Sequence, residues 1–176
     1  KSMFAQNENL IIRAAEPQDA ALIYQWENNQ EIWRVSETYT PYSLYQIEQF
    51  LLGNNDLFAN RQMRFIIEKK EDNTEIGCID IYDFDPIHLR AGIGILLQKE
   101  YRKLGFASEA LKLIIEYCFD ILMLKQIYCL IDVLNTDSQN LFKKIGFEQC
   151  GYRKEWIRTP HGFIDELEFQ LINEKF

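Results

Sequence analysis

The residues best placed to do chemistry lie in one turn, Arg102-Lys103-Leu104-Gly105-Phe106-Ala107, which runs on into Ser108-Glu109-Ala110. Before it, Ala91-Gly92-Ile93-Gly94-Ile95-Leu96-Leu97 reads as a buried strand, and after it Leu111 to Leu122 reads as an amphipathic helix. The first N–H groups of a helix lack intrahelical partners and sit at the positive end of its dipole, so phosphate oxygens are natural guests there. Gly105 and Ala107 are small enough to let a pyrophosphate approach the backbone, and Arg102 and Lys103 add charge beside it. Gly92 and Gly94 mark a bulge, or a place where a ligand lies close to the strand. The turn is neither a Walker loop nor a Gly-x-Gly-x-x-Gly fingerprint. Taken alone, it is equally well a basic strand-to-helix turn with a small residue for packing.

The elements that must hold this turn can be read in order. Leu10 to Arg13 is a short strand, and Glu16-Pro17-Gln18-Asp19 opens a helix to about Asn29 with Ala21, Leu22 and Trp26 on its apolar stripe. Glu31 to Thr40 reads as irregular. Pro41-Tyr42-Ser43 opens a second helix with Ile47, Phe50 and Leu51 on one face, which Gly53-Asn54-Asn55-Asp56 ends. Arg64 to Glu68 and Glu75 to Asp83 form a hairpin, and a third strand, Leu89 to Leu97, leads into the turn. Gln126 to Val133 is apolar enough to be buried on both faces, and the strand, helix, strand order implies a parallel pair with a right-handed crossover. Asn135-Thr136-Asp137-Ser138 caps a short helix that ends at Gly146, and Phe147 to Trp156 and Phe163 to Ile172 are the closing strands.

A length of 176 residues fits one domain, with no repeat, linker or low-complexity segment. Lys1 and Ser2, ahead of Met3, are set aside as a remnant of expression. Cys78, Cys118, Cys129 and Cys150 lie far apart without C-x-x-C spacing, which suits buried free thiols in a reducing cytoplasm. The sequence carries no apolar run long enough to cross a bilayer and no signal-peptide pattern, so a cytoplasmic protein is expected. The net charge of −8 argues against a nucleic-acid surface and favours cationic partners. His88 and His161 have no companion at metal-ligand spacing, so no metal is expected.

Two stretches together carry a family resemblance. Arg102-x-x-Gly105-x-Ala107 resembles the acetyl-CoA pyrophosphate loop of the GNAT superfamily of N-acetyltransferases. Asn135-x-x-Ser138-x-x-Leu141-Phe142-x-x-x-Gly146-Phe147 resembles that superfamily's next motif, at the expected distance and after the expected strand. Trp26-Glu27-Asn28-Asn29, the strand bearing Gly77, and Gly162-Phe163-Ile164-Asp165 look most like the branch holding ribosomal-protein N-terminal alanine acetyltransferases and spermidine N-acetyltransferases. The resemblance implies one α/β (α+β) GNAT domain over residues 8–174. Its mixed, mostly antiparallel sheet of about six or seven strands would have helices on both faces and be splayed at the centre for acetyl-CoA.

The site residues follow from the resemblance. Pantetheine would bond along Ile95, Leu96 and Leu97, and a backbone N–H at Leu96 or Leu97 would stabilise the oxyanion. The pyrophosphate would lie on Arg102, Lys103, Leu104, Gly105, Phe106 and Ala107, and Asn135, Ser138 and Phe142 would also meet the cofactor. Asn135 is equally a helix cap. Many relatives have a proton-donating tyrosine where this chain has Phe142, and a phenyl ring cannot donate. Some N-terminal acetyltransferases use a serine matching Ser138, so its hydroxyl becomes the candidate acid, with helix capping as the plain alternative. Glu155 matches a catalytic glutamate of those relatives, and Asp80 and Asp83 are alternative bases acting through water.

On the acceptor side, Glu27, Glu31 and Glu37 suit the ammonium groups of a polyamine, and Trp33, with Trp26, Tyr39 and Tyr42, could wall the pocket. Phe142 argues against a polyamine, because spermidine enzymes usually keep the tyrosine, and Ser138 without it favours a protein N-terminus. The expected partners are acetyl-CoA, an amine acceptor and a second copy in a homodimer. The rival from another class is a non-catalytic acyl-CoA-binding or interaction domain that kept the fold.

Overall fold

Apolar residues at successive positions of two neighbouring strands point to two different cores, and this alternation organises the molecule. The computed structural model describes residues 5–29, 41–53 and 56–176. Its strands are β1 (Ala5–Gln6), β2 (Leu10–Ala14), β3 (Met63–Lys69), β4 (Glu75–Asp85), β5 (Arg90–Leu97), β6 (Gln126–Asp132), β7 (Glu148–Thr159) and β8 (Gly162–Ile172). They form one sheet in the order β1-β2-β3-β4-β5-β6-β8-β7, antiparallel throughout except for the parallel pair β5–β6. The eighth strand, absent from the sequence reading, is Ala5–Gln6, whose two residues are too short to show a period.

Phe65, Ile67, Ile79, Ile81, Ile93, Ile127, Phe169 and their neighbours belong to the first core, which the helix Phe106–Glu116 covers with Ala110, Leu111 and Ile114. Ile66 and Cys78, one residue out of step, belong to the second, with Ala20, Ile23, Trp26, Ile47 and Leu51. Helices therefore lie on both faces. On the second face are α1 (Ala20–Glu27) and α2 (Leu44–Leu52), and α3 (Leu57–Asn60) adds Leu57 to the first core. On α2 only part of the expected stripe is buried: Ile47 and Leu51 face the core, whereas Phe50 is exposed. The expected irregular stretch Glu31 to Thr40 lies outside the described residues.

Local chemistry sets the helix ends. Ser43 caps α2 in a reciprocal box with Gln46. Pro17–Asp19 forms a 3-10 turn before α1, in which Asp19 accepts the Glu16 N–H at 2.7 Å. Asp19 and Glu68 also receive the buried guanidinium of Arg13, at 2.7 Å and 2.8 Å, so that β2, β3 and the start of α1 are tied by paired charge. The helix expected beyond the turn, with Ala107 and Ala110 on its apolar stripe, starts as soon as Gly105 at φ +88° turns the chain, and forms α4 (Phe106–Glu116). A π-helical turn, Tyr117–Ile121, ends it. Helix α5 (Thr136–Ile145) is closed by Gly146 at φ +117°, and the Phe147 N–H reaches back to the Phe142 carbonyl.

Candidate active site

The two central strands part. β5 pairs with β6 only from Arg90 to Gly92, opposite Gln126 to Tyr128. Beyond that rung β5 keeps only β4 as far as Leu97, and β6 keeps only β8 as far as Asp132. Gly77 on β4 shows why β5 leans that way: a Cβ there would stand 2.1 Å from the Leu96 carbonyl oxygen, so only glycine admits the close approach. Gln98 completes the lean, its N–H donating to the Ile76 carbonyl at 2.8 Å and its side-chain amide to the Glu75 carbonyl at 2.9 Å. The edge of β5 from Ile93 to Leu97, roughly 13 Å long, is thereby freed from β6.

At the end of that edge lies the expected phosphate turn. Gly105 occupies the N-cap of α4 and offers no side chain, so no side-chain bond fills the first turn of the helix. Lys103, at φ +60°, brings its Nζ to 4.0 Å from Asp137 in the first turn of α5, so two helix starts stand side by side. Arg102, Lys103, Leu104 and Gly105 are exposed, and Phe106 and Ala107 are half-buried. Arg102 is less free than expected, because its Nε donates to the Leu97 carbonyl at 3.0 Å. Glu109 accepts from Asn9 at 2.8 Å, which ties the start of α4 to β2.

Across the opening, Asn135 is the cap of α5, its side chain accepting the Ser138 N–H at 3.2 Å. The capping alternative for Ser138 is thus taken by Asn135, and the Ser138 hydroxyl is not the cap. Phe142 is 2% exposed and meets Phe147 edge-on at 5.0 Å, so it is turned into the core rather than towards the opening. Its place among the cofactor contacts is corrected accordingly: with its oxygen gone, the ring packs as a hydrophobe.

The second face of the sheet is unexpectedly charged around the parting strands. On the β4 side, Arg64 holds Asp80 with two bonds, at 2.8 Å and 2.9 Å, and also bonds Glu27 at the end of α1. Burial alone would lower the Arg64 pKa, but the Asp80 and Glu27 charges outweigh it and hold the guanidinium well above its ordinary value. Asp80 thus carries a two-bond ion pair with Arg64. On the β6 side, Asp132 stands directly opposite Glu166 on β8, both buried, and Glu168 follows on the same face. Arg153 on β7 approaches Glu166 at 3.5 Å and Glu168 at 3.6 Å. The sequence reading missed these carboxylates, although Glu166, Glu168 and Gln170 alternate with the core residues Leu167, Phe169 and Leu171.

Glu155 lies on β7, the outer strand of this half, about two strand spacings (~10 Å) from β6. It is exposed, at φ +48°, in a bulge where Lys154, Glu155 and Trp156 stand against the single residue Asp165. Asp165 fixes the bulge: it accepts the Tyr152 hydroxyl and, at 2.7 Å, the Glu155 N–H, and these bonds hold its carboxyl below the usual range. Glu31, Trp33 and Glu37 lie outside the described residues. Cys78, Cys118 and Cys129 are buried free thiols, whereas Cys150 is exposed. Among the described residues no three His, Cys, Asp or Glu side chains gather as a metal would need, and no helix is long and apolar enough to cross a membrane.

The fold as a whole is similar to that of the solved spermidine N-acetyltransferase from Vibrio cholerae in complex with CoA and spermine, with a TM-score of 0.85 at 27% identity, over 96% of this chain and 98% of that one. The model of the acetyltransferase (GNAT) domain matches residues 9–148, and the chain belongs to that family. Among its relatives is the spermidine N(1)-acetyltransferase of Vibrio cholerae serotype O1, 29% identical over 97% of this chain and 96% of that protein. Another is the putative ribosomal N-acetyltransferase YdaF of Bacillus subtilis, 24% identical over 97% and 94%. Both branches expected from the motifs are thus represented, and the protein is an acetyltransferase of the GNAT type.

Proposed function

We propose that this protein transfers the acetyl group of acetyl-CoA to a primary amine of a polyamine-like small molecule. The observation that carries the choice of acceptor is the charge of the second face: Glu27, Asp80, Asp132, Glu166 and Glu168 flank the parting strands, and they outnumber Arg64 and Arg153 among the described residues. Such a face attracts ammonium groups and repels acidic acceptors. The spermidine acetyltransferase relatives support the same reading.

The residues present fit acetyl-CoA. Its pyrophosphate would rest on the N–H groups of Phe106 and Ala107 with Lys103 beside them, and its pantetheine on the free edge from Ile95 to Leu97. The co-substrate supplies an activated thioester carbonyl. The backbone N–H of Leu96 or Leu97 serves as donor to the developing oxyanion, and the Ser138 hydroxyl gives a proton to the departing sulfur. The carboxylate that the resemblance assigns as base is Glu155, whose backbone Asp165 holds in place.

A second reading, a protein N-terminus as acceptor, is favoured by one observation: Phe142 is a core ring with no hydroxyl to donate, while the Ser138 hydroxyl takes no part in the capping bond that its N–H makes to Asn135, which suits the serine-using N-terminal acetyltransferases of the resemblance. Both are tested by CoA thiol release from acetyl-CoA with spermidine, small primary amines and short peptides offered separately. Release with spermidine is expected. Release with peptides alone would move the acceptor to protein N-termini, and tight acetyl-CoA binding without release to any amine would leave a binding domain.

A further inference from the structure

Two tyrosines with no part in the scheme above stand where β5 and β6 separate. Gly92 pairs with Tyr82 on β4 and with Tyr128 on β6, so all three project to the second face, and Gly92–Tyr128 is the last rung of the parallel ladder. The Tyr82 ring lies over both glycines of β5. A Cβ on Gly92 would stand 2.2 Å from its Cε2, and one on Gly94 would stand 3.8 Å from its Cε1. The Tyr128 ring meets it edge-on, with centroids 6.1 Å apart and planes at 84°. Glycine inside a strand gives up side-chain packing, and here the space is refilled by an aromatic ring borrowed from the next strand. The expected close approach at Gly92 is therefore real, but its occupant is Tyr82.

Both residues are half-buried, and their strand positions put them at the vertex, beside the inner end of the freed edge of β5. Asp80, held by Arg64, is the next residue along the same face of β4. Burial first, and then the Asp83 charge, keep the Tyr128 phenol above its ordinary pKa, so it stays neutral. An alkyl chain bearing an ammonium group packs its methylenes on such rings and places its charge over their electron-rich faces.

We propose that Tyr82 and Tyr128 form the aromatic end wall of the amine-acceptor pocket and set which amines enter it. The inference rests on the acetyl-transfer reading of the same site. Gly92 acts at one remove, as the seat that keeps the Tyr82 ring low against β5 and clear of the opening.

The test measures acceptor KM and kcat, and acetyl-CoA Kd by calorimetry, using the amine that the wild-type enzyme acetylates fastest. Tyr82→Ala and Tyr128→Ala are each expected to raise acceptor KM roughly tenfold, between the size of an exposed and of a desolvated cation–π contact, while acetyl-CoA Kd stays close to wild type. Gly92→Ala, whose methyl unseats the ring, should follow Tyr82→Ala, and Tyr82→Phe, which keeps the ring, should restore the acceptor KM. An unmoved KM in both alanine variants would overturn the wall. So would weakened acetyl-CoA binding in both, which would make the rings a support for the parted strands. A kcat loss in Tyr82→Phe at unchanged KM would also overturn it by making the hydroxyl the working group. If the wild type acetylates no amine, the transferase reading fails and the wall with it, whereas turnover indifferent to the rings sinks the wall alone.

Discussion

At the scale of single residues, the separation of Asn135 from Ser138 makes the acid testable without disturbing the fold. Asn135 caps α5 through the backbone N–H of Ser138, so Ser138→Ala keeps the cap and removes only a hydroxyl. Turnover is expected to fall at least about tenfold with acetyl-CoA affinity unchanged, whereas Asn135→Ala should cost about 1 kcal/mol of stability. Parent-rate turnover by Ser138→Ala would remove serine from the mechanism. The buried thiols give a pH signature of their own. Burial pushes the Cys78 and Cys118 thiols up to about 12, from 9.0 in a solvated chain. Between those values the folded protein keeps protons that the unfolded chain has lost. Their contribution is therefore fully present below pH 9 and drains away as pH rises, by at most about 1.4 kcal/mol per pH unit for each thiol. Urea unfolding from pH 8 to 10 should show this decline, and Cys78→Ala should make it shallower; an unchanged slope would place the loss elsewhere.

At the scale of elements, the parting of β5 from β6 depends on β5 leaning onto β4 at Gly77. Gly77→Ala places a methyl against the Leu96 carbonyl and is expected to cost about 3 kcal/mol in unfolding free energy and to weaken acetyl-CoA binding. Denaturation and calorimetry check both; a variant as stable as the parent would show that the strands can shift to make room. Much of this arrangement was legible in the sequence. The run of apolar residues in β6 and the helix before it imply a parallel partner, and Gly105 with Ala107 implies a turn that phosphates can approach. What was hidden depends on register. Neither the pairing of Gly92 with Tyr82 and Tyr128 nor that of Asp132 with Glu166 can be read from spacing along one strand, since each joins residues on different strands. Phe142 was visible as a departure from the family's tyrosine, but its turn towards Phe147 appears only in the packing. Ala5–Gln6 and Leu57–Asn60 were missed because two to four residues carry no period.

At the scale of the whole molecule, the sheet is two half-sheets joined by three rungs, with the Gly105 turn at one end of the gap and the tyrosine pair at the other. The acidic character extends from this face to the net charge of −8, which would draw the proposed polyamine-like acceptors towards the molecule at low ionic strength. Rising salt should therefore raise the KM for spermidine more than the KM for a neutral-chain monoamine. In the proposed reaction the gap between the half-sheets receives acetyl-CoA. The most direct test is amide hydrogen exchange with and without saturating CoA, in the wild type and in Gly105→Val, whose branched side chain is strained at φ +88°. Slowed exchange is expected at Ile93 to Leu97 and at Phe106 to Ser108 in the wild type, and no change in the variant. Protection confined instead to the small polar hollow formed by Glu8, Asn9, Lys69, Lys70, Glu71 and Phe106, or equal protection in both proteins, would contradict it.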